Sequence, residues 1–174
     1  MKGMEKMVVD GNDVFCRCGK VQLGLSGKAI ACLSCYCDDC QAGARELEAL
    51  PGAGPITKEG GGTEYVMYRN DRLEIRKGAA NLKEYKLRED SPTSRVVASC
   101  CQAAMYLSFS DSRHWVSLYR ERFEEDAPPL DVRICTRFKP EGAEIPDDVP
   151  SVSSYSLTFM WKLLAARIAM AFGR

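Results

Sequence analysis

Apolar and polar positions alternate through residues 56–111, where Tyr65, Met67, Leu73, Ile75, Tyr85 and Leu87 fall at a period of two. Gly, Asn-Asp and Ser-Pro signals interrupt the alternation, so this stretch predicts short, mostly antiparallel strands. Upstream, DVFCRCGKVQLGLSG (13–27) reads as a strand that opens on a cysteine knuckle, and KAIACLSC (28–35) as a second short strand. DDCQAGARELEALPGAG (38–54) holds one helical turn or two before Pro51 and the glycines stop it.

The texture changes after Asp111. In SRHWVSLYRERF (112–123), Trp115, Leu118, Arg122 and Phe123 have helical spacing, and PPLDVRICTRF (128–138) is a further strand candidate. A polar, proline-marked connector follows. In the last segment, 154–174, Leu157, Trp161, Leu164, Ile168 and Phe172 form one stripe at helical period. Phe159, Leu163 and Met170 lie on the other side, so this helix is apolar most of the way round and calls for a cover. The cover is the sheet, a second copy in a homodimer, or a membrane interface. The modest charge favours the first two over the membrane. The pattern as a whole predicts a mainly β protein with minor α, divided into a β domain at 1–110 and a C-terminal extension at 111–174.

Charge narrows the class. Twenty-four basic residues balance 24 acidic ones in 174, which argues against a nucleic-acid binder, since phosphate recognition needs a net basic face. The first residues have too short an apolar run for a signal peptide, and no stretch has the charge-free length of a membrane span. These readings predict a cytoplasmic protein.

Cysteine changes the picture most: there are nine, against one histidine. In a reducing compartment they are poor disulfide candidates. The pairs Cys16-x-Cys18 and Cys35-x-Cys37 are also too close to bridge comfortably, because a disulfide needs Cα atoms about 5.5 Å apart in a set orientation. Close-set thiolates suit a soft-ligand metal such as zinc. The groups are Cys16-x-Cys18-Gly19, Cys35-x-Cys37-x-x-Cys40 and Cys100-Cys101. Cys32 lies three residues before Cys35 in a predicted strand, so period two places it on the opposite face, as a core cysteine rather than a fourth ligand. Cys135 reads as strand packing, and His114 as a surface or helix-start residue.

The order CxCG, strand, CxCxxC, strands, then a cysteine pair after an apolar strand resembles the glutathione-dependent formaldehyde-activating enzyme family, over roughly residues 13–110. Gly19 and Gln41 fit the likeness. The resemblance implies an Mss4-like zinc-binding antiparallel β fold and one or two Zn²⁺ per chain. It implies a structural metal on Cys16, Cys18 and Cys101, and a catalytic metal on Cys35, Cys37 and Cys40. The implied activity is a carbon–sulfur lyase type, joining the glutathione thiol to formaldehyde or a related small aldehyde. Two positions depart from the family pattern. Ala98 stands where the late motif has its first cysteine, and Gln102 where it has glycine. Cys100 is the favoured replacement ligand, although adjacent residues in an extended chain face opposite ways, so sharing one metal requires a turn there; the alternative there is an incomplete first site. The alternative is a non-catalytic zinc-stabilised β module that binds a protein partner. Arg17, Lys20 and Arg45 are near the motifs but read as solvated charges, and Asp38 and Asp39 read as polar loop residues in preference to acceptors behind the metal ligands.

Overall fold

A computed structural model of the chain describes residues 12–173. Among the described residues, ten strands and two α-helices make a mainly β architecture. Three strands form a small antiparallel sheet in the order β1 (Asn12–Phe15), β2 (Gln22–Leu25) and β5 (Leu73–Lys77). The other seven form a large sheet. They are β3 (Ala31–Cys35), β4 (Thr63–Arg69), β6 (Leu82–Tyr85), β7 (Thr93–Ala98), β8 (Ala103–Phe109), β9 (Trp115–Tyr119) and β10 (Val132–Ile134). Their spatial order is β10-β3-β4-β9-β8-β7-β6. All neighbours pair antiparallel except β10, which runs parallel to β3 with Ile134 opposite Cys35. Helix α1 (Asp38–Glu48) follows β3 directly, and α2 (Leu157–Ala171) is the last element.

Period-two alternation gives the large sheet two apolar faces and hence two cores. One face buries Val66, Tyr68, Met105 and Leu118 against Val14 and Leu23 of the small sheet. The other buries Leu33, Tyr65 and Leu107 together with residues of α1 and α2. The strand β3 shows the alternation most usefully. Leu33 and Cys35 belong to the helix-covered core, and Cys32 to the sheet-covered one.

Three local expectations change. Residues 115–119 are a central strand, not a helix. Val116 and Leu118 pack into one core and Tyr119 into the other, so burial on both faces removes the polar half of the alternation. His114 is buried, with Nε2 2.9 Å from the Leu163 carbonyl oxygen on α2. Helix α1 runs three turns rather than one or two.

Helix α2 presents Phe159 and Leu163 to the sheet, whereas Leu157, Trp161 and Ile168 of the apolar stripe are exposed. Polar ties fix this rotation. Lys162 binds Asp131 at 2.9 Å, Arg167 donates to the Ser112 carbonyl at 2.7 Å, and Ser156 caps the helix by accepting the Phe159 N–H. Among the described residues, no helix is long and apolar enough to cross a membrane.

Candidate metal centres and an adjoining cavity

All nine cysteines are free thiols, and seven of them gather in two clusters. The first joins Cys16, Cys18, Cys100 and Cys101, whose sulfurs all lie within 4.8 Å of one another. Zinc–sulfur bonds of about 2.3 Å in a tetrahedron put sulfurs about 3.8 Å apart. Here Cys16 to Cys18 is 3.6 Å, Cys16 to Cys100 is 3.7 Å and Cys18 to Cys100 is 3.4 Å, so the cluster fits a closed four-thiolate zinc site.

Local backbone explains both halves. After Cys16 the chain folds back, with the Gly19 N–H on the Cys16 carbonyl and the Val21 N–H 3.2 Å from the Cys16 sulfur. Gly19 sits at φ +70°, a left-handed conformation that glycine adopts without strain. Burial pushes the Cys16 thiol up, but the Val21 amide and the Cys18 and Cys100 neighbours outweigh it and bring it down to about 7. On the other side, Ser99–Gln102 form the turn between β7 and β8. Gln102 takes the left-handed value there, φ 53°, so the turn aims two consecutive cysteines at one point. Both Cys100 and Cys101 therefore join the cluster, and Ala98 stays in the strand. Arg17 donates to the carbonyls of Gly52 and Cys101, which ties it to the frame of this cluster.

The second cluster is Cys35, Cys37 and Cys40. Cys35 ends β3, Cys37 is the N-cap of α1, and Cys40 lies in its first turn, so a strand-to-helix corner gathers three sulfurs. The thiols of Cys35 and Cys40, aided by the Cys40 and Asp39 amides at the helix start, hold Cys37 well below the ordinary thiol range, at about 3. Hydrogen bonding to Cys135 and to the other two cysteines drives the Cys35 thiol strongly upward. The triad thus localises negative charge on Cys37. The Tyr65 hydroxyl donates to the Cys40 sulfur at 3.7 Å, and burial above all pushes that hydroxyl upward and keeps it protonated. Three soft sulfurs within 4.8 Å of one another fit zinc with one position left without a protein ligand.

Cys32 lies on the far face, its Sγ 3.5 Å from the Pro128 carbonyl, and takes no part. Cys135 does come to the site. It was expected to pack within a strand, but β10 ends at Ile134 and Cys135 turns left-handed, at φ 59°, which swings its thiol onto Cys35. It is not within 4.8 Å of all three triad sulfurs, however. Asp39 faces solvent beside Arg88, 3.8 Å away, and Lys20 and Arg45 are exposed, so all three are solvated charges.

A cavity of about 400 Å³ opens against Cys35, Cys37 and Cys40. Met67, Phe109, Trp115 and Ile134 wall it, and Phe159, Met160 and Leu163 of α2 roof it. Arg95 also lines it, although sequence reading passed it over. The signal was there: Arg95 follows Thr93 at period two in a strand whose next residues are valines, so it points to the same face as the cavity.

No family model and no curated protein matches the chain. Among solved structures, it is similar to a crystal structure of a Rhodobacter sphaeroides protein, a Northeast Structural Genomics target. The two share 16% identity over 80% of this chain and 99% of that one, with a TM-score of 0.45.

Proposed function

We propose that this protein is a zinc-dependent thiol-handling enzyme of the carbon–sulfur lyase type, joining a thiol such as glutathione to formaldehyde or a related small aldehyde. One observation carries the reading: three sulfurs within 4.8 Å of one another, at the wall of a 400 Å³ cavity, with Cys32 turned away. The CxCG and CxCxxC resemblance supports it. Zinc held by the triad would keep an incoming thiol as the nucleophilic thiolate. A thiolate so supplied would add to the aldehyde carbon, with the thiol proton ending on the new hydroxyl, so no redox partner would be needed. Three thiolates give the centre a formal charge of about −1 by ligand counting, which favours thiol delivery over carbonyl polarisation. The protein's own part is to hold the triad with the amides of α1, to fix Cys40 through Tyr65, and to exclude water with the aromatic wall.

The test is zinc content and an X-ray absorption count of sulfur neighbours, with and without glutathione. Two zincs per chain, and a sulfur count that rises when thiol is added, support the reading. Cys37→Ser should lose one zinc equivalent and thiol binding together; unchanged glutathione affinity in that variant ends it.

Cys135 favours one second reading. If it moves onto the metal, the site has four thiolates and is closed, which is the design of a structural centre in a partner-binding module. The absorption spectrum then shows eight sulfurs over two zincs without added thiol, and glutathione changes nothing.

A further inference from the structure

Arg95 on β7 is 2% exposed, yet two of its three guanidinium nitrogens lack a protein partner. Its Nη2 donates to the Asp39 carbonyl at 2.6 Å, which fixes the side chain against the start of α1, while Nε and Nη1 have no acceptor. Leaving the donors of a buried guanidinium unmatched is costly unless an acceptor, best an anion, meets them. The fold goes out of its way to house this group. Helix α1 approaches at Gly43, where a Cβ would come 1.9 Å from Arg95 Nε, so only glycine leaves it room.

The cavity wall supplies no carboxylate for it, and the sulfurs of the triad, the other negative charge there, make no hydrogen bond to Nε or Nη1. Of the other charged residues on its wall, Asp39 directs its carboxylate to Arg88 at the surface. Arg113 is already held by Asp111 at 2.6 Å and lies over the Phe109 ring. Apart from the triad and the neutral hydroxyls of Thr93, Ser117, Tyr65 and Tyr155, the wall is apolar, with Met67, Leu107, Phe109, Trp115, Phe159 and Leu163. An unmatched cation in an apolar chamber specifies a ligand with one anionic end and an apolar body.

We propose that this cavity binds a small apolar monocarboxylate, an arylalkanoic or branched alkanoic acid, with its carboxylate on Arg95 and its body under α2. This goes beyond the thiol chemistry and does not depend on it, because the recognition uses Arg95 and the hydrophobic wall rather than the metal.

The experiment compares 3-phenylpropanoate with its neutral amide by calorimetry on the zinc-loaded protein. The acid should bind at least about tenfold more tightly than the amide, the discrimination expected of hydrogen bonds to a buried charge. In Arg95→Gln the two should bind alike, and in Cys37→Ser the preference for the acid should persist. Equal affinity of acid and amide for the unaltered protein overturns the proposal, and means that Arg95 serves to offset the charge of the triad. That comparison needs no variant to fold. Loss of the preference in Cys37→Ser also overturns it, since the carboxylate would then be a metal ligand. Failure on either count leaves the thiol reading to its own zinc and sulfur measurements.

Discussion

Gly43 of α1 and Arg95 of β7 touch so closely that a single added methyl would lie 1.9 Å from the guanidinium Nε. The helix can follow β3 at this distance, and so bring Cys37 and Cys40 up to Cys35, only because position 43 has no side chain. Gly43→Ala should therefore destabilise the protein by about 1–3 kcal/mol through overpacking, even though alanine is the better helix former. Denaturant unfolding checks this; a stabilised variant would mean that Arg95 has another place to go.

The two clusters should differ in what their loss does. Cys16, Cys18, Cys100 and Cys101 tie the β1–β2 hairpin to the β7–β8 turn, so a metal there closes long loops. Cys100→Ser should cost about 3 kcal/mol or more, a fall in melting temperature of roughly 6–12 °C for a domain of this size. Cys37→Ser should cost clearly less stability while removing one zinc equivalent. Scanning calorimetry with metal analysis reads both.

Cys135→Ser separates the open from the closed centre. On the proposed function it leaves zinc at two per chain and preserves the rise in sulfur neighbours when glutathione is added. A drop to one zinc would place Cys135 among the ligands.

Acid should loosen the roof of the cavity. Burial holds the His114 imidazole below its ordinary value near 6.5, with Arg167 and Arg69 adding repulsion, although the Leu163 carbonyl opposes them. The unfolded chain therefore takes up this proton at higher pH than the folded one. The resulting stability is present above about pH 6.5 and is lost as pH falls through that value toward the lower folded one. The melting temperature should fall more between pH 7.5 and 5.5 in the native protein than in His114→Gln, whose amide still donates to Leu163. Equal slopes would show that His114 stays neutral throughout.

The two faces of α2 should answer differently to truncation. Phe159 is 5% exposed and Trp161 67%. Phe159→Ala should cost about 3–5 kcal/mol, whereas Trp161→Ala, on the open face, should stay within roughly 0.5 kcal/mol.

Sequence pattern reached the clusters more readily than their surroundings. Cys32 was placed by period two alone, and β3 bears that reasoning out, with Cys32 and Cys35 in separate cores. The turn demanded by adjacent Cys100 and Cys101 is there, with Gln102 taking the left-handed angle that makes it work. The same alternation failed at Cys135 because the chain leaves strand geometry one residue earlier, a change of φ that no apolar pattern announces. It failed at 115–119 because a strand buried on both sides keeps no polar beat. In α2, apolar side chains all round the helix made the exposed stripe look like the packing face. The rotation is set instead by Lys162, Arg167 and His114, whose partners Asp131, Ser112 and Leu163 are near only in the fold.

The large sheet also acts as a partition. The four-sulfur cluster belongs with the core on one side and the three-sulfur cluster with the core on the other. A small electrophile or oxidant entering beneath α2 therefore meets the triad first, with the sheet between it and the quartet. Chemical wear at the triad need not unfasten the architecture that presents it.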